Sequence, residues 1–313
     1  VLALNFFRIV LFSGVAFGQL SSKPSSLGST DLKILNIVSN RIKGLDVNRI
    51  VDVPTDKVPK SFHHIVSGRD GCIYASSFAT NEVFRATHDS QNGWRWARIV
   101  SRSAGVDGPT GLVLDDDLLL YVASFGTDQV LRFNAVTGES VDVVINDDEG
   151  RLDCPEGLLL LPGRIIVASF LNDRLLSYSP DGVFQEVFAA GRYLDGPQVI
   201  VAQMLTNSVL VSSYHRSRVV SLDAATGKKR RLEFGGDELS RPVGLAMAPG
   251  DELLCSSHKT NEILRYNASS GAFLGTFAAG HGLWAPTGIA MGSDLVLHVG
   301  TFLDGVRRYS YWR

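Results

Sequence analysis

GPTGLVL at residues 108–114, LLLYVASF at 118–125 and GTDQVLRF at 126–133 form the stretch that decides the fold. It reads as an opening turn, an apolar strand, a tight turn, a second strand, a polar turn and a third strand. The same unit returns about five more times along the chain. The repeats begin 42 to 47 residues apart, at FHHI (62–65), PTGL (109–112), PEGL (155–158), PQVI (197–200), PVGL (242–245) and PTGI (286–289). A period of this length is typical of the blades of a β-propeller.

A second marker recurs inside each repeat, where a Ser or Thr is followed by an aromatic residue or His and then by a polar turn. Its six copies are SFATN (77–81), SFGTD (124–128), SFLND (169–173), SYHRS (213–217), SHKTN (257–261) and TFLD (301–304). A third strand, a hairpin turn and a fourth strand then complete the repeat. Each repeat is therefore predicted to be a blade of four antiparallel strands.

The sixth repeat, from Pro286 to Tyr311, supplies only three strands, while residues 48–53 (NRIVDV) form a strand that has no repeat of its own. Pairing the two chain ends within one blade closes a ring of sheets. The sequence therefore predicts an all-β, six-bladed β-propeller over residues 48–313. Its blades are four-stranded and antiparallel, and the N-terminal strand completes the C-terminal blade.

The repeat string ASFGTDQVLRF at residues 123–133 resembles the NHL class of six-bladed propellers, and the resemblance covers about residues 48–311. It implies the propeller fold. The broad superfamily includes lactonases, lyases, peptide-processing enzymes and pure binding modules. The resemblance therefore does not choose an activity, since one fold hosts many functions.

Composition and charge exclude some partners. The chain has 313 residues, 45% hydrophobic and 20% charged, with a formal net charge of −2. Such a chain fills a sizeable core but lacks the basic surface expected of a nucleic-acid-binding protein. We expect no nucleic-acid or membrane partner, and we expect a monomer.

The first 18 residues are predicted to be a secretory signal peptide. Arg8 precedes the short apolar run 9–17, and the small residues Ala16 and Gly18 make a cleavage pattern. The run is too short for a comfortable membrane span, although it could instead be a buried N-terminal strand. Residues 19–47 are predicted to be a linker and N-terminal extension. The pattern favours a secreted, extracellular protein.

Cysteine usage and one sequon bear on the same expectation. Cys72, Cys154 and Cys255 are odd in number and widely spaced, which predicts neither a disulfide framework nor a CxxC metal site. Asn267 begins the sequon Asn-Ala-Ser, so it is predicted to be a glycosylation site. It falls in a turn between a third and a fourth strand.

Blade geometry places the candidate functional residues on one face. The connections that enter each blade and the turns between second and third strands surround the same channel mouth, and loops on a rigid scaffold usually carry binding. The residue after each opening position is, in blade order, His63, Thr110, Glu156, Gln198, Val243 and Thr287. His63 and Glu156 depart most from this Thr/Gln/Val pattern. His281 lies on a neighbouring loop. The candidate ligand-binding residues at the mouth are His63, His64, Glu156, Gln198, His215, His258 and Trp284.

Two functions are open for this face. The first is binding of a small molecule, an extracellular protein or a glycan. The alternative is a metal-dependent hydrolase or lyase, lactonase-like, in which His63, Glu156, His215 and His258 hold a divalent metal such as calcium or zinc and one His is the general base. The sequence lacks the ordered set of Glu, Asn and Asp ligands found in related enzymes, so neither function is selected.

Two recurrent features favour structural interpretations. The Asn or Asp at positions 81, 128, 173 and 261 occupies one slot in several blades, which indicates turn closure by a side chain. The Phe at positions 78, 125, 170 and 302 also recurs, and we interpret it as packing between blades rather than as a stacking platform for a ligand.

Overall fold

The computed structural model describes residues 61–89, 93–147, 149–280, 282–302 and 305–311. Apart from two three-residue 3₁₀ helices, Arg102–Ala104 and Arg192–Leu194, the regular structure of these residues is β-strand. Blade 1 contains β1 (Phe62–Ser67), β2 (Ile73–Ser77), β3 (Glu82–Asp89) and β4 (Gly93–Val100). Blade 2 contains β5 (Pro109–Leu114), β6 (Leu119–Ser124), β7 (Gln129–Asn134) and β8 (Ser140–Asn146). Blade 3 contains β9 (Pro155–Leu161), β10 (Arg164–Ser169), β11 (Arg174–Tyr178) and β12 (Phe184–Ala190).

The second half of the ring repeats this plan. Blade 4 contains β13 (Pro197–Gln203), β14 (Ser208–Ser213), β15 (Arg218–Asp223) and β16 (Lys229–Phe234). Blade 5 contains β17 (Pro242–Ala248), β18 (Glu252–Ser257), β19 (Glu262–Asn267) and β20 (Phe273–Ala279). Blade 6 contains β21 (Pro286–Met291), β22 (Val296–Thr301) and β23 (Gly305–Ser310). Within each blade, every strand pairs antiparallel with its neighbour in sequence.

The first strands of the blades form a closed inner ring. β1 contacts β5, β5 contacts β9, and the series continues through β13 and β17 to β21, which contacts β1 again. The predicted six-bladed propeller is therefore confirmed. Blade 6 has three strands among the described residues, and its predicted fourth strand, 48–53, lies outside them.

The hydrophobic core is divided into seams between adjacent blades. Tyr74 of blade 1 packs with Leu120 and Phe133 of blade 2, and all three side chains are fully buried. Phe62 of blade 1 shares a cluster with Val306 of blade 6, which closes the ring. Full burial of a side chain of this size contributes about 1.5–3 kcal/mol, so each blade depends on its neighbours for stability.

Glycine in the opening turn allows the inner strands to approach closely. A Cβ atom on Gly157 would lie 2.1 Å from the carbonyl oxygen of Gln198 in the next blade. Side chains then bond across the same kind of seam elsewhere in the ring. The Thr110 hydroxyl donates to the Pro155 carbonyl at 2.7 Å, and the Ser256 hydroxyl donates to the Thr287 carbonyl at 2.8 Å.

The recurrent Asn or Asp closes the mouth side of each seam. Asn81, Asp128, Asp173 and Asn261 have positive φ angles of 54–62°, a conformation that Asn and Asp tolerate better than most residues. Each accepts a hydrogen bond from a backbone N–H just before the next blade, at 2.7–2.8 Å. The prediction of turn closure is confirmed, and the structure adds that the bond joins two blades.

No helix of the described residues is long and apolar enough to cross a membrane. The three cysteines all fall within the described ranges and are free thiols. Cys72 and Cys255 are buried in blades 1 and 5.

Candidate functional site

A buried histidine–glutamate pair lies at the floor of the channel mouth. His63 on β1 and Glu156 on β9 follow the opening positions of blades 1 and 3, and the inner ring brings them together. His63 Nδ1 is 3.6 Å from Glu156 Oε2, with side chains 18% and 7% exposed. This separation is just beyond a hydrogen bond. The two groups can therefore each bond to a third group placed against them.

Burial sets the protonation of this pair. It lowers the pKa of the His63 imidazole to about 4, and the neighbouring His258 adds to the shift. Burial also raises the pKa of the Glu156 carboxyl well above its usual value. Both shifts favour the uncharged form, since a low-dielectric site penalises charge. Near pH 7 the His63 imidazole is therefore neutral, and burial shifts the Glu156 carboxyl towards its protonated form.

Gln198 and His64 occupy different environments beside this pair. The side-chain carbonyl oxygen of Gln198, Oε1, is buried and has no hydrogen-bond partner among the described residues. His64 stands in the slot where four of the other five blades carry glycine. Its Nδ1 accepts a hydrogen bond from the backbone N–H of Leu112 in blade 2 at 3.1 Å. The imidazole of His64 thus joins two blades, whereas Gln198 adds an unsatisfied acceptor near the floor.

Aromatic rings follow one another around the mouth. Their centroids are 5.2–6.4 Å apart in the series His63, Phe78, Phe125, Phe170, His215, Tyr214 and His258, which we name the mouth belt. These distances are those of interacting aromatic pairs. Phe78, Phe125 and Phe170 do pack between blades, as predicted, because each contacts a ring of the adjacent blade, whereas Phe302 is 47% exposed and makes no ring contact with the described residues. They are also partly exposed, and Phe78 is 37% accessible to solvent.

Small residues make room for the belt. A Cβ atom on Gly108 would lie 2.7 Å from the Phe78 ring, and one on Gly196 would lie 2.7 Å from the His215 ring. Both glycines have positive φ angles, 59° and 63°. The mouth therefore combines an aromatic rim with a polar floor.

The remaining sequence candidates lie at or near this rim. His258 is half-buried, and its Nδ1 lies 3.2 Å from the Pro286 carbonyl. With Nδ1 as the donor, Nε2 is left as an acceptor. His215 is exposed, and Trp284 is 57% exposed with no ring contact to the belt. His281 lies outside the described residues.

The four residues predicted to hold a metal do not converge. Among the described residues, only Asp128, Asp153 and Cys154 place three metal-type ligand atoms within 4.8 Å of one another. The His63–Glu156 pair supplies two ligands, and neither His215 nor His258 joins it in such a group. Calcium and zinc sites need more protein ligands than this pair provides. The described residues therefore do not fit a metal centre at the floor.

Asp128, Asp153 and Cys154 belong to a seam between blades. Asp128 Oδ1 accepts the Cys154 N–H at 2.7 Å, the same bond that Asn and Asp make in other blades. Burial raises the pKa of the Cys154 thiol to about 11, followed by the effect of Asp128. The thiol is therefore protonated near pH 7. We interpret the three residues as part of the contact between two blades, not as a metal site.

The predicted glycosylation site lies away from the mouth, at the end of β19. Asn267 Oδ1 accepts hydrogen bonds from the Ser270 N–H and hydroxyl at 2.8 and 2.7 Å. Its Nδ2 lies 3.4 Å from Asp251 Oδ2. The amide thus supports the hairpin turn, and glycosylation at Asn267 stays a prediction.

Comparison with known proteins places the chain in the broad propeller class predicted from its repeats. No protein-family model matches the sequence, and no curated protein matches it significantly. Solved propellers do match. A nidogen–laminin complex structure aligns with a TM-score of 0.62 and 18% identity, over 74% of this chain and 84% of that one. The WD40 propeller of Doa1 aligns with a TM-score of 0.60 and 14% identity, over 86% and 99%.

A third match is a catalytically inactive variant of virginiamycin B lyase from Staphylococcus aureus, solved with quinupristin. Its TM-score is 0.57 at 14% identity, over 84% of this chain and 88% of that one. At such identities these three structures establish the fold alone.

Proposed function

We propose that this protein binds a small amphipathic molecule at the mouth of its propeller channel. The observation that carries the proposal is the mouth belt, a series of partly exposed rings that begins at His63, beside Glu156, and continues through blades 2 to 5. Exposed apolar surface of this kind commonly marks a binding site. Ligand pockets typically combine apolar walls with a few polar groups that fix orientation. In this proposal the belt contacts the apolar part of the ligand.

The floor favours a ligand whose polar group is uncharged. Burial shifts the pKa values of His63 and Glu156 towards their uncharged forms, so the floor favours a polar group without charge over an ionic one. The carbonyl oxygen of an amide or ester would accept from the Glu156 carboxyl in its protonated form, and an amide N–H would donate to the unpaired side-chain Oε1 of Gln198. The proposed ligand class is therefore an aromatic amide, an ester or a peptide of similar polarity.

Two of the similar propellers were solved with a partner: one with quinupristin and one in a nidogen–laminin complex. We further propose that the protein acts outside the cell, which rests on the signal-like pattern of residues 1–18. Mass spectrometry of the protein exported by a secretory host tests this point. Retention of residues 1–18 in the exported chain counts against it.

Ligand-observed NMR with acetanilide and with quinupristin tests the binding proposal. Saturation transfer to either compound is expected with the wild-type protein and is expected to fall severalfold in a Phe78→Ala, Phe125→Ala double variant. Phe273→Ala is the matched control, because Phe273 is 47% exposed but lies on β20, away from the mouth. Absence of transfer to both compounds, or equal transfer in all three proteins, refutes the proposal.

A second candidate function is acid–base catalysis by the same pair, which would make the protein a lyase or hydrolase. A neutral His63 can accept a proton from a substrate carbon or a water, while protonated Glu156 can donate one to a leaving oxygen. Elimination leaves the product mass equal to the substrate mass when a ring is opened, and hydrolysis adds one water. Mass spectrometry and chromatography of quinupristin incubated with wild type and with Glu156→Gln distinguish these outcomes. An unchanged, intact substrate argues for binding alone.

A further inference from the structure

A cavity lies on the face opposite the mouth, between blades 1 and 6. It has a volume of about 190 Å³ and is bounded by turns that follow β1 and β21, by His88 near the end of β3 and by Trp94 near the start of β4. Its lining combines the apolar or aromatic side chains of Cys72, Ile73 and Trp94 with the polar side chains of Ser67, Asp294 and His298. None of them belongs to the mouth belt or its floor.

One buried polar atom in this cavity has an unmet hydrogen bond. His298 is 1% exposed, and its Nε2 has no hydrogen-bond partner among the described residues. Burial, reinforced by Arg308, lowers the pKa of His298 to about 3, so its ring is neutral near pH 7. An unpaired polar atom in the interior costs free energy, and a guest that bonds to it recovers that cost.

The walls around this atom are aromatic and flat. The Trp94 ring centroid lies 5.0 Å from that of His298 at an interplanar angle of 75°, and 5.3 Å from that of His88. Gly292 makes room for the Asp294 carboxylate, since a Cβ atom there would lie 2.5 Å from Asp294 Oδ1 and 3.4 Å from His298 Nε2. Ile73 and Cys72 are also buried at this wall. A planar ring can therefore lie against these surfaces.

Size limits the guest to a single ring. An apolar cavity of about 150 Å³ accommodates benzene, and this cavity is slightly larger at about 190 Å³. The volume beyond that of benzene leaves room for one small substituent on the ring, and the unpaired His298 Nε2 favours a polar one. We propose that this cavity binds a monocyclic aromatic molecule that carries one hydroxyl group, of the phenol class, with its hydroxyl bonded to His298 Nε2. This site is independent of the function proposed for the mouth.

Titration of the full chain with phenol and with toluene tests the proposal, because the two molecules have nearly the same shape. Phenol is the better hydrated, so an apolar cavity without a polar partner prefers toluene. A hydrogen bond to His298 is expected to reverse that order, with phenol binding roughly tenfold more tightly than toluene, the ratio produced by one such bond.

Two substitutions at His298 assign the effect. His298→Leu is expected to restore the preference for toluene, whereas His298→Gln keeps a polar head and is expected to retain part of the preference for phenol. His63→Ala, at the opposite face, is the control and is expected to leave the ratio unchanged. If His298→Leu does not fold, the wild-type ratio still decides the question.

Binding of neither compound would show that the cavity holds ordered water only, and would overturn the proposal. A wild-type preference for toluene would do the same. Loss of phenol binding in His63→Ala would also refute it, since that result would place phenol at the mouth.

Discussion

Replacement of Gly157 by Ala tests whether the stability of the ring depends on the close approach of its inner strands. Gly157 follows Glu156 on β9, and its φ is not positive, so the backbone itself accepts alanine. The obstacle lies in blade 4, where the new Cβ would be 2.1 Å from the Gln198 carbonyl oxygen and 3.1 Å from the Ile200 nitrogen. Both atoms belong to backbone, so no side-chain rotation relieves the contact.

The size of the effect follows from this geometry. The two strands must separate by about 1 Å before an ordinary contact is restored. Overpacking of a well-packed interior typically costs about 1–3 kcal/mol. A closed ring resists separation at every seam, so we expect the upper part of this range. In a chain of this size that corresponds to a fall in Tm of roughly 4–12 °C.

Thermal unfolding followed by circular dichroism measures the change, with Gly236→Ala as the control. There the new Cβ would meet Glu238 Oε2 at 2.5 Å, which is the far end of a flexible side chain that can turn away. We expect that control to lose less than about 1 kcal/mol. Equal stability of Gly157→Ala and wild type would refute the account of the seam. The prediction concerns the seam between blades 3 and 4, where the Cβ atom at position 157 meets the backbone of blade 4.

Three further predictions concern other parts of the ring. Burial holds the pKa of His298 at about 3, below the 6.5 of an unperturbed His, so the unfolded state binds the extra proton as pH falls from 6.5 towards 3. Stability contributed by this His is therefore present above pH 6.5 and lost as pH falls below it. Between pH 6.5 and 3, the free energy of unfolding measured with urea should fall less steeply with decreasing pH in His298→Gln than in wild type, by about 1.4 kcal/mol per pH unit. Asn81→Gly keeps the positive φ of 57° but removes the bond to the next blade, so its urea midpoint should indicate a loss of about 1 kcal/mol, and Asn81→Ala should lose more. Glu252 is 6% exposed and accepts two bonds from Arg265 at 2.6 and 2.9 Å. Arg265→Met should cost about 3–5 kcal/mol by the same assay because it leaves a buried carboxylate without its cationic partner, although the Tyr311 hydroxyl still donates to it at 2.8 Å. A loss below about 1 kcal/mol in Arg265→Met would contradict the role of that pair.

Local signals in the sequence were sufficient for the fold. The opening Pro-x-Gly turns and the alternating apolar strands recur at a nearly constant period, so blade number and strand order could be predicted without knowledge of tertiary contacts. The slot occupied by Asn81 was also readable, because a residue repeated in one turn of several blades indicates a backbone requirement.

The candidate site was only partly readable from the sequence. Blade geometry placed His63 and Glu156 at the same mouth, and the structure brings them within 3.6 Å. The sequence also predicted His64 to be a ligand-binding residue, but its Nδ1 accepts a hydrogen bond from the Leu112 N–H. The direction of a side chain depends on its rotamer and its neighbours, so the sequence alone could not distinguish His64 from His63. The belt could have been found from the repeated Phe, since these residues fall in turns already assigned to the mouth.

The cavity at His298 had no signal in the sequence. It arises where turns of blades 1 and 6 meet, and the residues that line it are separated by more than half of the chain. Packing between such distant segments creates the space, and no local pattern records it.

Crystals soaked with acetanilide and benzamide would test the central claim, that the mouth is a binding site, most directly. The account predicts that the ring of either compound lies against Phe78 or Phe125, with its amide within hydrogen-bond distance of His63, Glu156 or Gln198. Electron density for these compounds elsewhere on the protein, with none at the mouth, would contradict it.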